Sequence, residues 1–84
     1  MLNIYSAQWC PHCRETCAFL EKKSIPFNII NIETAPNEVV KKVVEVNGGD
    51  DWVIPTLEFN GKWRPGKKFN AGELQNDLKE MGVL

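Results

Sequence analysis

Along the first stretch Leu2, Ile4 and Ser6 alternate with Asn3 and Tyr5, the period-two pattern of a short buried strand. From Pro11 the period lengthens. Cys13, Cys17 and Leu20 recur at three- and four-residue spacing, which predicts a helix to about Lys23 with those three on its inner face. Arg14, Glu15, Glu21, Lys22 and Lys23 fall mostly outside, and the lysines suit the negative end of the helix. Pro26 forbids continuation, and Phe27 to Ile32 resumes a strand. The run Glu38 to Val46 contains five valines, which favour strand by propensity. Its spacing opposes that reading: Val39/Val43 and Val40/Val44 repeat at i+4, with Lys41 and Lys42 between them. We read it as a helix, because Pro36 fits a first turn and Asn47-Gly48-Gly49 is a stop signal. Val53 to Phe59 is predicted as a third strand, and Asn60-Gly61 as a type I′ turn into Lys62-Trp63-Arg64. A last helix follows. Asn70 is its N-cap, Glu73 supplies a capping-box carboxylate, Phe69 can staple onto Leu74, and Leu74, Leu78 and Met81 form the apolar stripe. The order is β-α-β-α-β-β-α. The first two strands should be parallel through a right-handed crossover, and the last two an antiparallel hairpin.

Length and charge narrow the picture. The 84 residues suit one small domain over 1–84. A net charge of −1 gives no electrostatic case for nucleic acid or an anionic membrane. The N-terminus lacks the basic and apolar regions of a signal peptide, and no apolar stretch approaches the length of a membrane span. Three cysteines allow at most one intramolecular disulfide, which is not a secreted framework. A cytoplasmic monomer is expected.

The candidate chemistry lies at Cys10-Pro11-His12-Cys13, at the junction of the first strand and helix. A Cys-x-x-Cys in that position is a thiol–disulfide motif. Cys10 would sit at the N-cap, where free backbone N–H groups and the positive dipole end stabilise a thiolate. Pro11 fits the first helical position, where its missing N–H costs nothing. Cys13, one turn in, should be sheltered and less acidic than an exposed Cys10. The competing reading is zinc, with Cys10, His12, Cys13 and Cys17 as a short cluster. Zinc ribbons and fingers need a distant second ligand pair, and the chain has no other cysteine or histidine. We therefore assign no metal, and read Cys17 as a small core residue.

The element order, Trp9-Cys10-Pro11-His12-Cys13 after the first strand, and Ile54-Pro55-Thr56 opening the third together resemble the glutaredoxin family. Val46 to Gly49 before the proline and Pro55-Thr56-Leu57-Glu58-Phe59 after it resemble the mycoredoxin-like branch. The resemblance implies an α/β thioredoxin-like fold, a four-stranded mixed sheet flanked by three helices. It also implies a cis Pro55 facing the cysteines, with the backbone of Ile54 left to pair with an extended substrate. Trp9 and Ile54 would frame that groove. Three positions depart from the glutathione-using members: Ala7 replaces a lysine, Val53 a threonine, and Pro65-Gly66-Lys67-Lys68 a glycine pair followed by acidic residues.

The function expected from motif and resemblance together is dithiol reduction of protein disulfides or mixed disulfides. Cys10 attacks and Cys13 resolves, while Pro11 and His12 tune the thiolate, the imidazole approaching the Cys10 sulfur. No cofactor is expected to be bound. Electrons would come from a low-molecular-weight thiol (glutathione or an analogue) or from a reductase such as thioredoxin reductase. Two alternatives stand beside this. One is an iron–sulfur cluster carrier, which Pro11 and the missing glutathione contacts oppose. The other is a dedicated electron donor to one partner, such as ribonucleotide reductase.

Overall fold

A computed structural model describes residues 1–84. Its elements are β1 (Leu2–Ser6), α1 (Pro11–Lys22), β2 (Phe27–Asn31), α2 (Asn37–Val46), β3 (Thr56–Phe59), β4 (Lys62–Arg64) and α3 (Ala71–Met81). The four strands form one sheet in the order β2-β1-β3-β4. The pair β1/β2 is parallel, while β1/β3 and β3/β4 are antiparallel. This is the thioredoxin-like arrangement that the resemblance implied.

Alternation along β1 divides the core in two. Leu2 and Ile4 join Leu20 of α1, Leu57 of β3, and Leu74, Leu78 and Met81 of α3 in one cluster. Tyr5 points the other way and meets Val43 of α2 and Ile32 in the second. Helices α1 and α3 therefore cover one face of the sheet and α2 covers the other. Asn60 and Gly61 both have positive φ, +50° and +82°, as a type I′ turn requires. The valine run is helical, since its i+4 repeat puts Val43 in the second core while Lys41 and Lys42 stay outside.

Three expectations need correction. The third strand starts at Thr56 rather than Val53, because the proline cannot donate to a ladder and the Val53 carbonyl is taken by the Thr56 hydroxyl at 2.6 Å. On α1 the buried residues are Cys13, Thr16 and Leu20; Cys17 is only half-buried against the first core. Thr16 is tolerated inside because its hydroxyl donates to the His12 carbonyl at 2.8 Å. The capping box at α3 is half made. Asn70 accepts from the Glu73 N–H at 3.0 Å, but the Glu73 carboxylate turns to the Lys67 ammonium at 3.5 Å.

Candidate active site

Cys10 has extended backbone (φ −82°, ψ 112°) and caps α1: its sulfur accepts the Cys13 N–H at 3.2 Å. A turn before it is closed by the Cys10 N–H donating to the Ala7 carbonyl at 3.2 Å. Pro11 occupies the first helical position, as its missing N–H allows. The sulfur is thus turned inward onto the helix end rather than outward. Cys10 is only 3 % exposed, the same as Cys13, so the expectation of an exposed Cys10 is corrected. Both are free thiols.

The two sulfurs differ in their surroundings. Burial pushes the Cys13 thiol up to about 12, helped by a hydrogen bond to Cys10, with the Ala7 backbone opposing and the charges of Cys10 and Cys17 adding to the rise. Cys13 is thereby held protonated next to a sulfur that accepts its backbone N–H. Cys17 is also raised, by burial first and then by Glu21 and Cys10. It opens, with Cys13, Ser6, Arg14 and Ile29, onto a groove of about 460 Å³ between α1 and the outer strand β2. Neither Cys10 nor Pro55 lines that groove, so the largest cavity reaches the dithiol only from behind.

His12 makes its hydrogen bond to the 65–70 segment and none to Cys10. Its Nδ1 accepts the Phe69 N–H at 3.1 Å, just ahead of α3, so this nitrogen is not donating to the Cys10 sulfur. The physical reason is a donor in need of an acceptor: Phe69 precedes the cap, where no helical carbonyl is available. Trp9, beside the cysteines, is 56 % exposed. Pro55 is buried and follows a cis peptide bond from Ile54. Tyr5 pairs with Thr56 across β1 and β3, which sets Pro55 opposite Ser6, at the sheet end where the chain leaves for Cys10. Neither the N–H nor the carbonyl of Ile54 has a partner within the chain.

A family model of glutaredoxins matches residues 2–63, well over half of the chain. The chain belongs to the glutaredoxin family. Among solved structures it is similar to the glutaredoxin (grx-1) from Archaeoglobus fulgidus, with 25 % sequence identity and a TM-score of 0.69. The match covers 89 % of this chain and 82 % of that one. No curated protein matches the chain. Against this glutaredoxin frame the three departures take definite places. Ala7 is buried, Val53 is exposed, and Lys67 is engaged by Asp77 and Glu73 while Lys68 is exposed. Sequence reasoning missed Asn47 and Gly66 as parts of this end of the molecule. The signals were Val46 to Gly49, read as a helix stop and a branch resemblance, and Pro65-Gly66-Lys67-Lys68, read for its charge; neither pointed to a bond between Asn47 and Gly66.

Proposed function

We propose that this glutaredoxin reduces disulfides in proteins or mixed disulfides through the Cys10/Cys13 couple. The observation that supports it best is the asymmetry of the pair. The Cys10 sulfur caps a helix and accepts a backbone N–H, while Cys13 is held protonated with its thiol pushed up to about 12. In this reading the Cys10 thiolate attacks one sulfur of the substrate disulfide, forming a mixed disulfide and releasing the other sulfur as a thiolate. Cys13 then attacks the Cys10 sulfur. Its proton goes to the departing substrate thiolate, the substrate leaves reduced by two electrons, and Cys10–Cys13 remain as a disulfide. A low-molecular-weight thiol or a reductase returns the two electrons, in the cytoplasm. Trp9, Ile54 and Pro55 form the substrate-facing side of this site, since Ile54 offers an unpaired N–H and carbonyl at the same sheet end.

Trapping tests the assignment. Cys10→Ser abolishes reduction, and Cys13→Ser accumulates a mixed disulfide on Cys10, read by mass spectrometry of the adduct. An adduct carried mainly by Cys17 would overturn it. The electron source is read by comparing turnover with glutathione and glutathione reductase against NADPH and thioredoxin reductase.

A further inference from the structure

Asn47 ends α2, and its side chain has every main hydrogen-bonding direction used inside the chain. Nδ2 donates to the Val43 carbonyl at 2.8 Å and to the Thr56 hydroxyl oxygen at 2.9 Å, and Oδ1 accepts the Gly66 N–H at 2.8 Å. A carbonyl accepts only and an N–H donates only, so these partners also settle which way the amide points. Thr56, fully buried, passes the connection on: its hydroxyl donates to the Val53 carbonyl at 2.6 Å. One amide therefore joins the end of α2, the loop that carries Ile54 and Pro55, and the segment that follows β4.

The last two are pressed together as well as bonded. A Cβ on Gly66 would lie 2.5 Å from the Val53 carbonyl oxygen and 2.6 Å from its carbon, so only glycine permits this approach. Three residues on, the same segment is tied to the cysteine helix by the Phe69 N–H on His12 Nδ1. The stretch from Gly66 to Phe69 thus spans from the Val53–Thr56 loop to the residue between the two cysteines. Ile54 lies inside the loop so held, with its own N–H and carbonyl unpaired. A loop whose flanks are bonded and whose middle is not presents a fixed pair of backbone groups to an added strand.

We propose that Asn47 is a positioning residue for extended disulfide substrates: it sets the Val53–Thr56 loop against Gly66, so that the Ile54 backbone is held where a substrate strand pairs with it. This rests on the thiol–disulfide reading above. It assigns Asn47 no contact with substrate and no part in the sulfur chemistry.

The test uses pre-reduced protein in single turnover, with observed rate followed against substrate concentration. Two substrates are compared: a peptide with an extended segment beside its disulfide, and hydroxyethyl disulfide, too short to pair with Ile54. Losing about one hydrogen bond's worth of substrate pairing corresponds to roughly a tenfold change. Asn47→Ala is therefore expected to raise half-saturation for the peptide about tenfold. The limiting rate, the rate on hydroxyethyl disulfide and the alkylation of Cys10 by iodoacetamide should stay near the wild-type values. Thr56→Val, which removes the hydroxyl but keeps the shape, should reproduce the effect, and Thr56→Ser should not; this pair decides the matter even where Asn47→Ala fails to fold. Equal losses on both substrates, or a lowered melting temperature with unchanged half-saturation, would overturn the proposal. A wild-type protein that reduces neither substrate overturns the thiol–disulfide reading itself.

Discussion

At the scale of single residues, the Nδ1 of His12 is claimed by two neighbours that cannot both have it. The Phe69 N–H reaches it at 3.1 Å, which needs an unprotonated Nδ1; the Glu15 carboxylate lies 3.9 Å away, which attracts only a protonated one. The shorter contact is within hydrogen-bond range and the longer is not, so the bond to Phe69 governs and the ring proton belongs on Nε2. Nitrogen chemical shifts of the imidazole check this directly, and an Nδ1–H tautomer would refute it. Replacing the ring tests its worth. His12→Ala leaves the half-buried Phe69 N–H without an acceptor and should cost about 1 kcal/mol in urea unfolding. Cys17 supplies the contrasting case of a thiol near the site with no bond to it. Burial, Glu21 and Cys10 all disfavour its thiolate. Cys10, although more buried, has what Cys17 lacks, a place at a helix N-terminus with a backbone N–H on its sulfur. Iodoacetamide should therefore label Cys10 first at neutral pH, and Cys17→Ser should leave turnover nearly unchanged; faster labelling of Cys17 contradicts that.

At the scale of elements, what was legible in the sequence follows from which interactions are local. The i+4 repeat of Val39/Val43 and Val40/Val44 outweighed valine's preference for strands, because a helix buries Val43 against Tyr5 and Ile32 with Val39 and Val40 half-buried beside it. Asn60-Gly61 and Asn70 were equally readable, since a turn or a cap involves only neighbours in sequence. The cysteine helix was legible for the same reason: Cys10, Pro11 and Cys13 make their geometry within one turn. The start of β3 was not. It depends on Thr56 taking the Val53 carbonyl, on Asn47 reaching Thr56 from 9 residues away, and on Gly66 meeting Val53 from beyond the hairpin. No periodicity announces such contacts. Gly66 makes the point testable. Its φ is unexceptional and its requirement is purely steric, a Cβ 2.5 Å from a backbone oxygen. Gly66→Ala must push the Val53 loop or the 65–70 segment aside, at a cost of roughly 1–3 kcal/mol. Thermal unfolding measures it; an alanine variant as stable as wild type would mean that the two segments part freely.

At the scale of the whole molecule, the end of the sheet is clamped to α3 by charge. Arg64 of β4 faces the same side as Leu57, its partner across the strand pair, and its side chain is only 5 % exposed. A buried guanidinium needs a counter-charge, and Asp77 of α3 supplies it at 2.7 Å, with Lys67 joining at 3.1 Å. Burial alone would raise the Asp77 carboxyl, but the hydrogen bonds and charges of Arg64 and Lys67 outweigh it and hold Asp77 below the usual carboxylate range. The sign of the consequence follows from that direction. Because the folded protein binds the proton more weakly than the unfolded chain, the ionised Asp77 contributes stability above the ordinary aspartate pKa of about 3.9, and the contribution is lost as pH falls through the lowered folded value. Asp77→Asn keeps the shape and removes the charge, leaving Arg64 buried without its partner. The expected loss at pH 7 is roughly 3 kcal/mol, the scale of breaking one side of a buried pair. The same substitution should matter progressively less below about pH 4, where the unfolded chain takes up the proton that folded Asp77 still resists, until the folded carboxyl is protonated as well. Urea unfolding of the two proteins from pH 7 down to pH 3 measures the gap. A gap that stays constant over that range would mean that Asp77 acts through its hydrogen-bonding shape and not through its charge.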